Sequence, residues 1–359
     1  MNIVVRGTNW IGDSVMTVPA LRALRQVFPE AKIFLHTRSW AEGIFRDADF
    51  IDGLITYDTP ATSLQEVITQ SRSIRAQKFD LAVVFPNSFA SALTMRFARV
   101  PRRFGYSKEA RGLILTDPIN VPSWKAEKHE VYYYLWLVEE VERIMLGTSN
   151  VSFATPSIEL TVSEFRKREA REFLEKRGFD LSHPVIALGP GSTNSMAKRW
   201  PADRFAQIVD MFGIEARANV LLLGGPDDQE VADLIRRISK YKPLDLTGKT
   251  SLGDAAAILS VSDLMITNDM GLAHLAPAVG TRTLVIFGPT NEAATRPFSD
   301  LAKVIRVDVE CSPCMLRECP IDHRCMTRIS SQTVFESAIT HLQKNDPFTT
   351  VATSRLHRP

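Results

Sequence analysis

The 359-residue chain is 45% hydrophobic and 23% charged, enough apolar material for two cores of ordinary domain size. Its formal net charge of +2 excludes the strong positive field of a dedicated nucleic-acid binder. No apolar run approaches the roughly 20 residues of a membrane-spanning helix, which leaves any membrane contact peripheral.

Met1-Asn2-Ile3-Val4-Val5-Arg6-Gly7 enters a strand at once and lacks the basic start and apolar core of a secretory signal, so a cytoplasmic enzyme is expected. Ile3–Val5, Ala31–Leu35 and Asp80–Phe85 read as buried strands, with Gly53–Thr56 as a further one. The turns and amphipathic stretches that follow them predict a parallel sheet covered by helices, one of which runs from about Val15 to Phe28. Between Thr148 and Pro184 the alternation gives way to a polar segment and one charged helix, Ser163–Arg177, with Gly178 as its left-handed cap. It restarts with strands at Val185–Leu188, Val220–Leu223, Leu264–Thr267 and Thr283–Phe287. The expected α/β architecture is therefore two doubly wound Rossmann-like domains, 1–160 and 161–345, followed by a flexible tail, 346–359.

Chemistry in such folds sits at the carboxyl ends of strands. Gly7-Thr8-Asn9-Trp10-Ile11-Gly12-Asp13 follows the first strand, and its two glycines sit too far apart for the G-x-G-x-x-G fingerprint of a dinucleotide site. Asp13 opens a helix, where the dipole and nearby amides favour an ionised base; the alternative is a plain helix cap. Gly189-Pro190-Gly191-Ser192-Thr193-Asn194 opens the second half and leads to Lys198-Arg199-Trp200-Pro201. Small residues there admit a diphosphate, Ser192 and Thr193 offer hydroxyls, and Lys198 offers a mobile charge; an ordinary loop anchored by Trp200 is the other reading. Asn268-Asp269-Met270-Gly271-Leu272-Ala273-His274 begins a helix at a strand end and forms an anion cradle, with Asp269 as a sugar acceptor. His274 is either a phosphate contact or a satisfied core histidine. Gly224 and Asp227 suit a nucleoside pocket or a tight turn, and Thr290 suits its rim.

Taken in order, Trp10-Ile11-Gly12-Asp13, Pro190-Gly191, Ala197-Lys198-Arg199-Trp200-Pro201, Asn268-Asp269-x-Gly271-Leu272-x-His274 and Phe287-Gly288-Pro289-Thr290 resemble the lipopolysaccharide ADP-heptose heptosyltransferases, glycosyltransferase family nine. Pro86-Asn87-Ser88-Phe89-x-Ser91-Ala92-Leu93 and the tryptophan before Gly12 resemble the branch that adds the second heptose. The resemblance implies a GT-B fold, its domains facing across a cleft, and inverting, metal-independent transfer from ADP-heptose to a heptosyl lipid A inner-core acceptor. It implies Asp13 as base, an N-terminal acceptor domain, and a donor held by Ser192, Thr193, Lys198, Asp269, Met270, Gly271 and His274. Ser195 and Met196 depart from the family's usual glycine and small residue or proline. Other readings are the same donor chemistry on another glycan, a sugar-nucleotide isomerase, or a bilobal binding protein.

Three further features need placing. Asp47-Ala48-Asp49 is the sole D-x-D and reads as a solvated turn rather than a diphosphate–metal site. Arg96, Arg99, Arg102, Arg103, Lys108 and Arg111 form the strongest charge run, facing acceptor phosphates or an anionic leaflet, or simply solvent. Cys311, Cys314, Cys319 and Cys325 hold every cysteine as C-x2-C-x4-C-x5-C, in the pattern of a structural metal or of a cysteine-rich tail without one.

Overall fold

The computed structural model describes residues 1–153, 156–193 and 195–343. These form two compact units, Met1–Thr161 with Ala293–Phe298, and Val162–Glu292 with the chain from Ser299. The tail expected beyond 345, and Asn194 of the glycine-rich loop, lie outside the described residues.

In the first unit six strands, β1 (Asn2–Arg6), β2 (Lys32–Arg38), β3 (Gly53–Tyr57), β4 (Leu81–Val84), β5 (Arg102–Tyr106) and β6 (Asp117–Ile119), form one sheet. Their order is β3-β2-β1-β4-β5-β6 and every neighbouring pair is parallel. Val4, Ala82 and Val84 on one sheet face pack with Ile74 and Met95 of the helices Leu64–Ala76 and Phe89–Phe97. A capping box between Ser63 and Glu66 starts the first of those helices by satisfying two otherwise unpaired amides.

The second unit repeats the plan with β7 (Val185–Gly189), β8 (Asn219–Leu222), β9 (Leu244–Asp245), β10 (Leu264–Asn268), β11 (Arg282–Ile286) and β12 (Ala302–Ile305). The order is β12-β11-β10-β7-β8-β9, again all parallel. Its core gathers Ile186, Leu188, Ile266, Trp200, Phe205 and Phe335. The two Rossmann-like, doubly wound domains expected from the alternation are thus present.

In both sheets the chain winds outward one way and then the other from a central pair. That places a topological switch point beside the loops after β1 and β4 in one unit, and after β7 and β10 in the other.

Local departures have physical causes. The single helix expected from Val15 to Phe28 is two, Ile11–Met16 and Val18–Val27. Thr17 interrupts it, its hydroxyl donating to the Ser14 carbonyl at 2.7 Å, and Pro19 occupies the first turn of the second helix, where its missing N–H costs nothing. The charged helix spans Glu164–Glu175, and Gly178 adopts φ +89, the left-handed cap expected there. Strands β5 and β6 and the helix Glu130–Leu146 were not anticipated. No helix among the described residues is long and apolar enough to cross a membrane.

Candidate active site

The loops after β7 and β10 are wired to each other. Asn268, at the end of β10, donates from Nδ2 to the carbonyls of Pro190 at 2.7 Å and Gly191 at 3.1 Å. Its Oδ1 accepts the Trp200 amide at 3.0 Å, while the Trp200 indole donates to the Ile329 carbonyl at 3.0 Å. One buried amide side chain therefore fixes both ends of the 190–200 loop, and tryptophan anchors that loop in the core. The two readings offered for Trp200 and the phosphate loop are compatible.

Below the loop, Asp228 is 1% exposed and pairs with Arg199 at 3.2 Å. Its carboxylate also accepts the amides of Gly225, at 3.0 Å, and Ser192. Burial raises its pKa, and the amides and Arg199 offset part of that rise. A Cβ at Gly191 would lie 2.0 Å from the Asp228 Cγ, so only glycine permits this close approach. Gly224 packs against the same carboxylate. Asp227, by contrast, is exposed on the 3-10 turn Pro226–Asp228; the acid turned inward is its neighbour.

The charged face of the site combines three predicted residues. Lys198 Nζ lies 2.8 Å from Asp269 Oδ2, and the Thr290 hydroxyl donates to the same oxygen at 2.7 Å. Met270 caps the helix Gly271–Ala278 without a side-chain bond, so the first-turn amides of Gly271 and Leu272 have no partner within the helix. Those amides and Lys198 make a cradle suited to an anion. Ser192 is buried and Thr193 exposed on the facing loop, and His274 is 6% exposed one turn into the helix.

The loop after β1 has a different character. Asp13 lies in the first turn of Ile11–Met16, next to Trp10, which is 57% exposed and caps the helix without a side-chain bond. Tyr134, from the helix Glu130–Leu146, lies within electrostatic reach: its phenol is pushed far up by burial and, secondarily, by Asp13. Beneath the loop Arg6 donates to His36 Nδ1 at 2.6 Å and stacks on Tyr57 at 4.1 Å, and the Tyr57 hydroxyl donates to Asn9 at 3.1 Å. Burial first, then Arg6, drives the His36 pKa well down, leaving a neutral acceptor at the base of the loop. Across the switch point, Asn87 accepts from Tyr133 at 3.2 Å and Arg111 at 3.4 Å, and Arg111 also donates to the Pro86 carbonyl.

Arg111 is fully buried on backbone carbonyls, Arg103 is 9% exposed and bonded to the Val100 and Ile114 carbonyls, and Arg102 pairs with Asp117 at 2.7 Å. The charge run is thus no single surface; half of it is bonded within the first unit, Arg102 tying β5 to β6 and Arg103 and Arg111 holding loop and strand-end carbonyls. Asp49 of the D-x-D pairs with Arg22 at 3.1 Å. The four cysteines are unbridged, and no group of three or more His, Cys, Asp or Glu among the described residues is placed to hold a metal ion. Burial, then the other three thiols, raises the Cys325 pKa to about 11, so it stays protonated. The cysteine segment also braces the site: the Arg317 carbonyl accepts the Ala197 amide at 2.9 Å, His323 bonds the Ala197 carbonyl at 2.6 Å, and Ser312 donates to the Gly288 carbonyl at 2.6 Å.

Sequence reasoning missed Asn268 as the clamp, Asp228 and Arg199 as the floor, and Tyr134 beside Asp13. Only Asn268 carried a local signal, an amide side chain at the end of a buried strand.

The family model for glycosyltransferase family 9 (heptosyltransferase) matches residues 67–324. Lipooligosaccharide heptosyltransferase 2 of Haemophilus ducreyi is 30% identical over 319 residues, 86% of this chain and 89% of that protein. The structure titled E. coli ADP-heptose lps heptosyltransferase II superposes with a TM-score of 0.82 at 27% identity, covering 95% of this chain and 98% of that one. A glycosyl transferase family 9 structure from Veillonella parvula gives 0.83 at 25% identity, covering 96% and 98%. With two doubly wound sheets and a matched stretch covering most of its length, the chain belongs to glycosyltransferase family 9, the heptosyltransferases, and is a glycosyltransferase resembling heptosyltransferase 2.

Proposed function

We propose that the chain transfers heptose from ADP-heptose to a heptosyl lipid A inner-core acceptor, with inversion and without a metal, at the cytoplasmic face of a membrane it touches only peripherally. The Lys198–Asp269–Thr290 group beside the first-turn amides of Gly271–Ala278 is the observation that carries this reading. It supplies positive charge and unsatisfied donors at a switch point, as a departing diphosphate requires.

In this reading Asp269 and Thr290 hold Lys198 in one rotamer until phosphate oxygens compete for its ammonium. Ser192, Thr193, Met270, Gly271 and His274 line the diphosphate and sugar, and Gly224 and Asp227 the nucleoside side. Asp13 accepts the proton of an acceptor hydroxyl while that oxygen attacks the anomeric carbon. The bond from that carbon to the diphosphate breaks on the opposite face, and ADP leaves with the electron pair. Lys198 and the helix amides stabilise the charge that develops.

The test is incubation with ADP-heptose and a panel of lipid A core acceptors, with products identified by mass. Release of ADP only when acceptor is present, with one added heptose, supports transfer; ADP release or donor rearrangement without acceptor overturns it. Activity is expected to persist in EDTA, and loss on chelation with rescue by magnesium contradicts the metal-independent step. The four-cysteine segment is expected to carry no stoichiometric metal when the protein is purified without chelators.

A further inference from the structure

The division of the charge run exposes a surface that the transfer reading does not use. Arg96 and Arg99, the members of the run near the end of the helix Phe89–Phe97, lie beside Arg72 and Arg75 from the last turns of Leu64–Ala76. Together with Arg103, Ile68, Ser71 and Phe97 they line a groove of 600 Å³ in which no lining residue is acidic. Arg72, Arg75, Arg96 and Arg99 are exposed, and among the described residues none of the four makes an ion pair. Phe97, 38% exposed, sits among them.

Several arginines elsewhere in the protein are paired with acids. Arg22, Arg25, Arg102, Arg143, Arg199, Arg306 and Arg324 each face a carboxylate. Four exposed cations gathered from two helices without a counter-charge present a concentrated positive face to an external anion. Burial and then Arg96 lower the Arg103 pKa, in keeping with that crowding. The groove also lies where β4 and β5 begin, whereas the Asp13 loop follows the end of β1, so the two occupy opposite edges of one sheet.

We propose that this arginine groove docks the protein on an anionic bilayer through the phosphates of lipid headgroups, with Phe97 entering the interface. Guanidinium forks suit phosphate oxygens, and an exposed aromatic among cations suits the headgroup region better than a closed pocket for a small anion would. The inference deepens the reading of a lipid-linked acceptor by naming the surface that keeps the enzyme at the membrane.

The test is co-sedimentation of the full chain with vesicles of phosphatidylglycerol and phosphatidylcholine, or of phosphatidylcholine alone. The unaltered protein is expected to bind the anionic vesicles and to be released by raised salt. The quadruple variant R72E/R75E/R96E/R99E is expected to lose about a hundredfold in partitioning, and the milder R96Q/R99Q about tenfold, with melting temperature retained. Transfer to a soluble, deacylated acceptor stays unchanged. Equal binding of both vesicle types, retained binding by the quadruple variant, or release by inorganic phosphate beyond the effect of chloride at matched ionic strength overturns the proposal. Vesicle binding needs neither donor nor acceptor, so its failure and a failure of the transfer reading are distinguishable.

Discussion

The two switch points share one strand order yet differ in how their polar groups are held. Around β7 and β10 the polar groups have internal partners: Lys198 with Asp269, Arg199 with Asp228, and the neutral Asn268 amide with two carbonyls. Around β1 the acid stands beside an exposed tryptophan and a buried phenol, and the charged scaffold, Arg6 with His36 and Tyr57, lies beneath the loop. The difference teaches that one topology can carry a rigid, pre-formed anion cradle in one place and an open, single-carboxylate edge in another. A constant nucleotide suits the first, and a large, variable sugar acceptor the second.

The comparison can be broken by substitution. Asp13→Asn removes the proposed proton acceptor while keeping shape, and turnover is expected to fall by about 10³ to 10⁴, measured as ADP release. Lys198→Ala is expected to lower kcat by about 10² to 10³, since the proposed mechanism uses its charge as the diphosphate departs. Arg199→Ala leaves the Asp228 carboxylate buried and unpaired, at an expected cost of about 3–5 kcal/mol in denaturant unfolding. Thr290→Val removes a single hydrogen bond to Asp269, so a loss of about 1 kcal/mol or a several-fold rise in donor KM is expected.

Acid sharpens the contrast from the other side. His36 and His129 both have lowered pKa values, chiefly through burial, so the unfolded chain binds their protons first as pH falls below about 6.5. Stability is therefore present above that pH and lost beneath it, by up to about 1.4 kcal/mol per pH unit for each histidine. Both belong to the first unit, and His129 bonds the Arg296 carbonyl at 2.8 Å, so that unit is expected to lose stability in mild acid. Amide hydrogen exchange at pH 7.0 and 5.5 checks it, and unchanged stability of the first unit contradicts it.

Much of the fold was legible because buried parallel strands are apolar on both faces, and Ile3–Val5, Leu81–Val84, Val185–Leu188 and Leu264–Thr267 stand out for that reason. Strand β5 did not, since Arg102 and Arg103 open it and their charges are answered by Asp117 and by the Val100 and Ile114 carbonyls, partners that only the folded loops supply. The break at Thr17 rests on one hydroxyl bond that no periodicity reveals. Of the candidate site, glycine-bearing strand ends were readable, and the structure puts Lys198, Asp269 and Thr290 in direct contact. The choice between Asp227 and Asp228 was not, because a 3-10 turn alone decides which carboxylate faces inward. The charge run was misleading for a related reason: adjacent arginines in sequence serve opposite purposes, and the surface cluster borrows two from another helix.

The division of labour between the two switch points is tested most directly by measuring ADP affinity and single-turnover rate side by side in Asp13→Asn and Lys198→Ala. The account predicts that Asp13→Asn keeps the ADP Kd within about twofold while its rate collapses, and that Lys198→Ala weakens ADP at least tenfold along with the rate. An Asp13→Asn enzyme with unaltered turnover, or a Lys198→Ala enzyme with unaltered ADP affinity and rate, would contradict it.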